Sequence, residues 1–320
     1  MIKQRYEVAK HNALIEASYS LDVTEQRVIL LAIIQARDCK QMIDANTLLE
    51  ITAESYQKHF GVDDSTAYRA LKSVAKSLIK KNFTYYEREP RTFKILAQYH
   101  SNWVHKIGYR EEEGCLQVAF GMDVIPQFTR LSEHFTKYDL EKVSKLSSKY
   151  AIRLYEIAIK WRYQNCVSDE IPLDQLRAML GVENDKYQHM HQFKSRVLDK
   201  AVEQVNEFTD IELSYEQKKR GRFVNRFVFS FKFKQSKKQK ATKDPAQLPT
   251  PPQKMSDFVT MSITQINSFS AKIATSKYAG DLAKVGESQT AFENRMKQEL
   301  MDPAQQKKYH KALIGLGFKA

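Results

Sequence analysis

With 320 residues, 42% of them apolar, and with 16 Tyr and 17 Phe, the chain suits two folded domains and not a disordered protein. Its net charge of +13 points to a polyanionic partner. Three distant cysteines (Cys39, Cys115 and Cys166) without a CxxC pair argue against a disulfide framework and a zinc site. The longest strongly apolar run, residues 28–34, falls far short of the ~20 residues that span a bilayer, and the opening residues lack a signal peptide's apolar core. The expectation is a cytoplasmic protein with no membrane partner.

Taken in chain order, "LDVTEQRVILLAIIQAR" opens with Asp22 as N-cap and Glu25 three residues on, a capping box ahead of an apolar helix. After a short polar gap, "ITAESYQKHFGV" reads as a second helix closed by Gly61. "DDSTAYRALKSVAKSLIKK" is a third, capped by Asp63 or Asp64. "NFTYYERE" and residues 95–120 then read as strands, with Glu113-Gly114 in a turn.

The second half repeats this order. "LSSKYAIRLYEIAIKWR" puts Tyr150, Leu154, Ile157, Ala158 and Trp161 on one helical face. "IPLDQLRAMLGV" is a short helix with Pro172 near its start and Gly181 at its end. "KYQHMHQFKSRVLDKAVEQVNEF", residues 186–208, supplies the third helix. "DIELSYEQKKRGRFVNRFVFSFKF" alternates as a hairpin, with Ile211, Leu213 and Tyr215 on one strand and Phe227, Phe229, Phe231 and Phe233 on the other. "KKRGR" is its basic tip.

Three helices and a hairpin, twice, is the order of a winged helix-turn-helix. The fold expected is α+β, two tandem winged helix-turn-helix domains followed by a flexible linker and a small helical C-terminal module. The divisions are 1–130, 131–235, a basic Pro-containing linker at 236–254, and a module at 255–320 whose role is not legible. Residues 218–243 hold eleven Lys or Arg and no acid, so much of the excess charge is local. A solvated run is the plain account; because this one follows aromatic strands, a nucleic-acid surface is the better one.

A wheel at about 100° per residue sorts the third helix of the second half. Phe193, Val197, Leu198, Ala201, Val202 and Val205 fall on the core side, and Gln192, Ser195, Arg196, Asp199 and Glu203 on the other. Gln188 and His189 extend the polar side if the helix starts early enough. Lys194 falls near the apolar side and is expected to snorkel. A polar or basic N-terminal half suits entry into a major groove, where Arg pairs with guanine and Gln with adenine. In the first half, Arg69, Lys72, Lys76 and Lys80 line the far side of the third helix, a row suited to phosphates and not to reading bases. Arg226, on the returning wing strand, is a further DNA-binding candidate.

The triplet His189-Met190-His191 resembles the metal site of rolling-circle endonucleases, but there it lies on a strand. At i and i+2 in a helix the rings would diverge by roughly 200°. Tyr150 and Tyr155, the candidate nucleophiles, have packing roles by periodicity. GxxxxGK[ST], GxSxG, HExxH and DxDxDG are all missing from the sequence. No catalytic residue, metal or cofactor is expected.

"NALIEASYSLDVTEQRVILLAI", "SSKYAIRLYEIAIKW" and "FKSRVLDKAVEQVNEFTDIELSYEQKKRGRFVNRFVFSF" resemble plasmid replication initiators of the iteron-binding, tandem winged-helix family, over about residues 10–235. The resemblance implies that the second domain's third helix lies in the major groove of a short direct repeat, the iteron. Within Phe193-Lys194-Ser195-Arg196, Arg196 matches a DNA-contacting arginine. Ser195 stands where some relatives carry another, which leaves the recognised sequence open. His189 sits where relatives often have Arg or Lys. Lys218, Lys219, Arg220 and Arg222 match a backbone-contacting hairpin. The family's first domain also binds DNA and forms the dimer interface.

The function implied is origin recognition without catalysis. Monomers, in equilibrium with a homodimer, would bind the direct repeats, help open A·T-rich DNA and recruit host helicase or initiator proteins, with chaperones as further partners. The dimer would repress its own gene at an inverted repeat. The rivals are a winged-helix transcriptional repressor and, further off, a nicking endonuclease.

Overall fold

The computed structural model describes residues 6–39, 43–89, 95–129, 131, 134–234, 263–276, 278–283, 287–300 and 306–318. The first winged helix begins with β1 (Glu7–His11), α1 (Asn12–Glu16) and α2 (Val23–Asp38). The capping box forms: Glu25 N–H donates to Asp22 Oδ1 at 2.7 Å, and Asp22 N–H to Glu25 Oε2 at 2.8 Å. Glu25 is wholly buried and also accepts from the Ser77 hydroxyl at 2.6 Å, so the same residue ties the start of α2 to the end of α4 (Asp64–Ser77). Asp63, not Asp64, caps α4. Between them α3 (Ala53–Phe60) ends on Gly61 at φ 63°, the left-handed closure that glycine tolerates.

Two small sheets follow. β3 (Asn82–Arg88) pairs with β4 (Ile95–Asn102), and β5 (Val104–Arg110) with β6 (Cys115–Phe120). The polar gap before α3 holds one more strand, β2 (Leu49–Thr52), paired with β6. Four residues with Leu49 and Ile51 inward are too short a run to announce a strand. α5 (Pro126–Thr129) and β7 (Phe135–Asp139) close this half. β7 pairs antiparallel with β1, from Glu7 opposite Asp139 to His11 opposite Phe135, so the expected division at residue 130 is crossed by a sheet.

The second winged helix comprises α6 (Lys149–Ile159), β8 (Ile171–Pro172), α7 (Leu173–Met179), a long helix over 190–208, β9 (Ile211–Arg220) and β10 (Phe223–Phe233). The sheet order is β8-β10-β9. Phe227, Phe229 and Phe231 point inward and are buried, each stabilising the core by about 1.5–3 kcal/mol. Phe233, which the alternation placed with them, is exposed at the last rung of the hairpin, opposite Ile211.

One apolar core runs through both winged helices. At its centre Arg153 of α6, wholly buried, donates to the carbonyls of Ile15 (2.7 Å), Ala17 (3.1 Å) and Met179 (3.0 Å), to the Tyr19 hydroxyl, and to Glu156 Oε2 at 2.9 Å. Glu156 accepts in turn from Lys10 and Tyr138. Gly181, at φ 67° after α7, lies against the Tyr19 backbone so closely that an added Cβ would stand 2.1 Å from the Tyr19 carbonyl oxygen.

A separate compact unit spans residues 239–320. In it α10 (Ile263–Ala274), α11 (Ala279–Leu282), α12 (Gln289–Leu300) and α13 (His310–Gly315) pack around Phe269, Ile273, Phe292, Met296 and Leu313. A small helical module was expected here. The expected linker at 236–254 lies outside the described residues.

Candidate nucleic-acid interface

The helix over 190–208 is built in three pieces: α8 (Met190–Phe193), a turn of π-helix (Lys194–Leu198) and α9 (Asp199–Phe208). Its anchor is Phe193, buried against Phe227 with Arg177 of α7 over its ring at 5.2 Å. Arg177 also donates to the carbonyls of Lys186 (2.6 Å) and Tyr187 (2.9 Å), which fixes the chain just before the helix. Val197, Leu198, Ala201 and Val205 complete the buried stripe, while Val202 is only half-buried. Gln192, Ser195, Arg196, Asp199 and Glu203 are exposed together, as the wheel expected. Lys194 is half-buried, its ammonium 6.0 Å from the Tyr215 ring centre, which is the snorkelling position.

His189 is the N-cap, in extended backbone at φ −77°, so it and Gln188 precede the helix and both are exposed. For the same reason the expected divergence of the two imidazoles does not occur. The His189 and His191 rings stand nearly parallel, 5.8 Å between centres, because only His191 follows helical geometry.

The wing stands beside this helix. Tyr215 of β9 donates its hydroxyl to Asp199 Oδ1 at 2.6 Å, tying wing strand to helix across their exposed side. Lys218, Lys219, Arg220 and Arg222 are all exposed around the tip, which Gly221 turns at φ 64°. Lys218 lies 3.3 Å from Glu216, and Arg226 lies 3.9 Å from Glu170 of the neighbouring loop. A bulge between Val224 and Arg226 breaks the hairpin register.

On α4, Arg69, Lys72 and Lys76 are exposed in a row. Lys72 is engaged by Glu111 at 2.5 Å, a bond that holds its ammonium above the ordinary lysine range. This row therefore presents less net charge than its sequence implies.

The chain matches the family model "Initiator Replication protein, WH1" over residues 7–159 and "Initiator Rep protein, WH2" over 172–231. It belongs to the initiator replication protein family. A replication initiation protein of Escherichia coli is 24% identical over 226 residues, covering 69% of this chain and 68% of that one. An uncharacterised 27.6 kDa protein of the same organism is 24% identical over 233 residues, covering 70% and 95%. The crystal structure of Pi initiator protein in complex with iteron DNA matches with a TM-score of 0.56 at 22% identity, over 72% of this chain and 98% of that one.

In this initiator the candidate residues fall into three places. Gln188, His189, Gln192, Ser195 and Arg196 gather at the N-terminal end of the long helix, Lys218, Lys219, Arg220 and Arg222 at the wing tip, and Arg69, Lys72 and Lys76 on α4 of the first domain. Two features escaped the sequence reading: the Tyr215–Asp199 tie, which links residues from two elements, and Phe223, an exposed aromatic next to the tip whose only signal was its place after "KKRGR". Among the described residues, no group of three or more His, Cys, Asp or Glu is placed to hold a metal ion, and no helix is long and apolar enough to cross a membrane.

Proposed function

We propose that this protein is a plasmid replication initiator that binds origin iterons sequence-specifically, with the helix over 190–208 reading bases in the major groove and the wing holding phosphates. The observation that carries this is one winged helix presenting both parts: an exposed Gln192-Ser195-Arg196 face and a four-cation hairpin tip, the helix and the wing strand being joined by the Tyr215–Asp199 bond. Arg196 pairs with a guanine edge, Gln188 and Gln192 with adenine, and His189 with the backbone or a base beside it. Lys194 reaches phosphate at most, from its place over the Tyr215 ring. Arg226, shared with Glu170, is a weaker backbone contact. Arg69, Lys72 and Lys76 position the first domain on the duplex without reading it.

Under this reading monomers crowd the direct repeats, open A·T-rich DNA beside them and recruit host helicase or initiator proteins. The homodimer, in equilibrium with monomer and acted on by chaperones, represses the gene at an inverted repeat. Its place of work is the cytoplasm, on plasmid DNA.

Footprinting on the DNA flanking the gene tests the reading. Protection of a series of short direct repeats is expected. Protection of a single inverted repeat alone would make the protein a transcriptional repressor of the same fold.

A further inference from the structure

Phe223 is 79% exposed, whereas Phe227, Phe229 and Phe231 on the same strand are 0%, 1% and 6% exposed. By odd-number parity it belongs on their inward face. The bulge between Val224 and Arg226 adds one residue to that arm of the hairpin and breaks the parity. The third strand, β8, ends its pairing at Arg226 and Phe227, so no sheet lies beneath the tip. The rungs Lys219–Val224 and Arg220–Phe223 project beyond it, roughly 7 Å at ~3.3 Å per residue. Leaving a phenyl ring in water forfeits the free energy of burying it, and here the ring is held out at the far end of the wing.

Its surroundings name the occupant. Phe223 follows Arg222 and faces Arg220 across the hairpin, with Lys219 on the next rung. Residues 217–226 contain no Asp or Glu. An apolar ring bracketed by cations is complementary to the minor groove, whose floor is base edges and whose two rims are phosphates. That groove is ~6 Å wide, enough for a tip led by one ring. Apolar side chains entering there part the base steps and kink the duplex by about 20–90°.

We propose that Phe223 is a wedge that the wing drives into the minor groove beside the iteron, unstacking one base step and bending the duplex there. The proposal rests on reading the chain as an iteron-binding initiator. It adds a mechanical output to that binding: a DNA step is loosened at a fixed distance from the bases that the helix reads.

The test uses the full-length protein and duplexes carrying one repeat. 2-Aminopurine is placed in turn at each step of the flank, and a donor–acceptor dye pair at the duplex ends reports bending. Wild type is expected to brighten 2-aminopurine at one position and to shorten the end-to-end distance. Phe223→Ala should abolish both signals while leaving the footprint over the bases read by the helix. Phe223→Leu, still apolar and wedge-shaped, should keep most of the bend. A Phe223→Ala variant that bends and brightens like wild type would overturn the wedge, as would one that binds more weakly with its bend intact. Brightening confined to single-stranded DNA, with the duplex straight, would overturn it in favour of stacking on unpaired bases. A normal wild-type footprint on an unbent duplex removes the wedge alone. No wild-type footprint on any repeat removes the initiator reading and the wedge with it.

Discussion

Lys10 and Glu156 stand 146 residues apart in the chain and 2.6 Å apart in the fold, with side chains only 4% and 0% exposed. Glu156 also receives Arg153 at 2.9 Å and the Tyr138 hydroxyl at 2.5 Å, so one carboxylate balances two buried cations from opposite ends of the first 160 residues. Glu156→Gln keeps the shape and removes the balance. Taking one partner from a buried pair costs about 3–5 kcal/mol. Urea denaturation should show that loss; a change below about 1 kcal/mol would mean water already screens the cluster.

The same residue sets an acid limit. Burial pushes the Glu156 carboxyl up, but Lys10 and Arg153, with the hydrogen bonds from Lys10 and Tyr138, outweigh it and hold it below its ordinary 4.5. A carboxyl depressed in the folded state adds stability above its unfolded value, and that stability is lost as pH falls through the lower, folded value. Wild type should therefore lose stability progressively as pH drops below about 4.5, and Glu156→Gln should lose less over the same range. Denaturant midpoints followed through the acid range decide it; parallel curves would refute the assignment.

Gly181→Ala should be far more damaging than Gly61→Ala. Both glycines have positive φ, 67° and 63°, for which an L side chain costs about 1–2 kcal/mol. A Cβ at Gly61 meets open space, whereas at Gly181 it meets the Tyr19 carbonyl at 2.1 Å and Ser20 Cα at 3.1 Å. Backbone on backbone has little room to yield, so Gly181→Ala should also loosen the packing of α7 on the first domain. Comparing thermal midpoints of the two variants tests this, and equal midpoints would contradict it.

Replacing Lys218, Lys219, Arg220 and Arg222 together with Ala should weaken binding to cognate and random DNA alike. Removing one cation from a phosphate lowers the slope of log affinity against log salt by about 0.9. Because Glu216 already shares Lys218, most of the drop in slope should come from the other three cations. A titration over several salt concentrations reads the slope directly. An unaltered slope would take the wing off the backbone.

Arg196→Ala should cost about 1–3 kcal/mol on the natural repeat and relax preference at one base position. Lys194→Ala should cost less, since its ammonium sits over the Tyr215 ring. Titrations of both variants against the repeat and singly substituted repeats separate them. Equal losses for Arg196→Ala on cognate and random DNA would place Arg196 on a phosphate.

The long helices were legible because their apolar spacing is unambiguous, and Asp22 with Glu25 announced α2 through a local hydrogen-bond pair. β1 was not, because Lys10 places a charge where the alternation calls for an apolar residue, and its partner lies across the fold. That omission is also why the two halves looked separable at residue 130. The exposed face carrying Gln192, Ser195 and Arg196 was legible, since sidedness survives small changes in pitch. The parallel His189 and His191 rings were not, for a wheel assumes helix on both sides of Met190. Nor was the Tyr215–Asp199 bond: nothing local to either residue points to the other.

The π-turn at Lys194–Leu198 gives that helix a splice. A π-turn carries an extra residue per turn relative to α-helix, so α8 and α9 are phased separately, each by its own grip on the core: Phe193 on one side, Ala201 and Val205 on the other. The core fixes the length of the segment before the splice and its Phe193 anchor, and leaves its exposed positions free. On the proposed role of this helix, the exposed residues 188, 189, 191, 192, 195 and 196 would form an interchangeable reading head on a constant shank. A same-length graft from another member of the family would change the address that is read and leave the shank seated where it is.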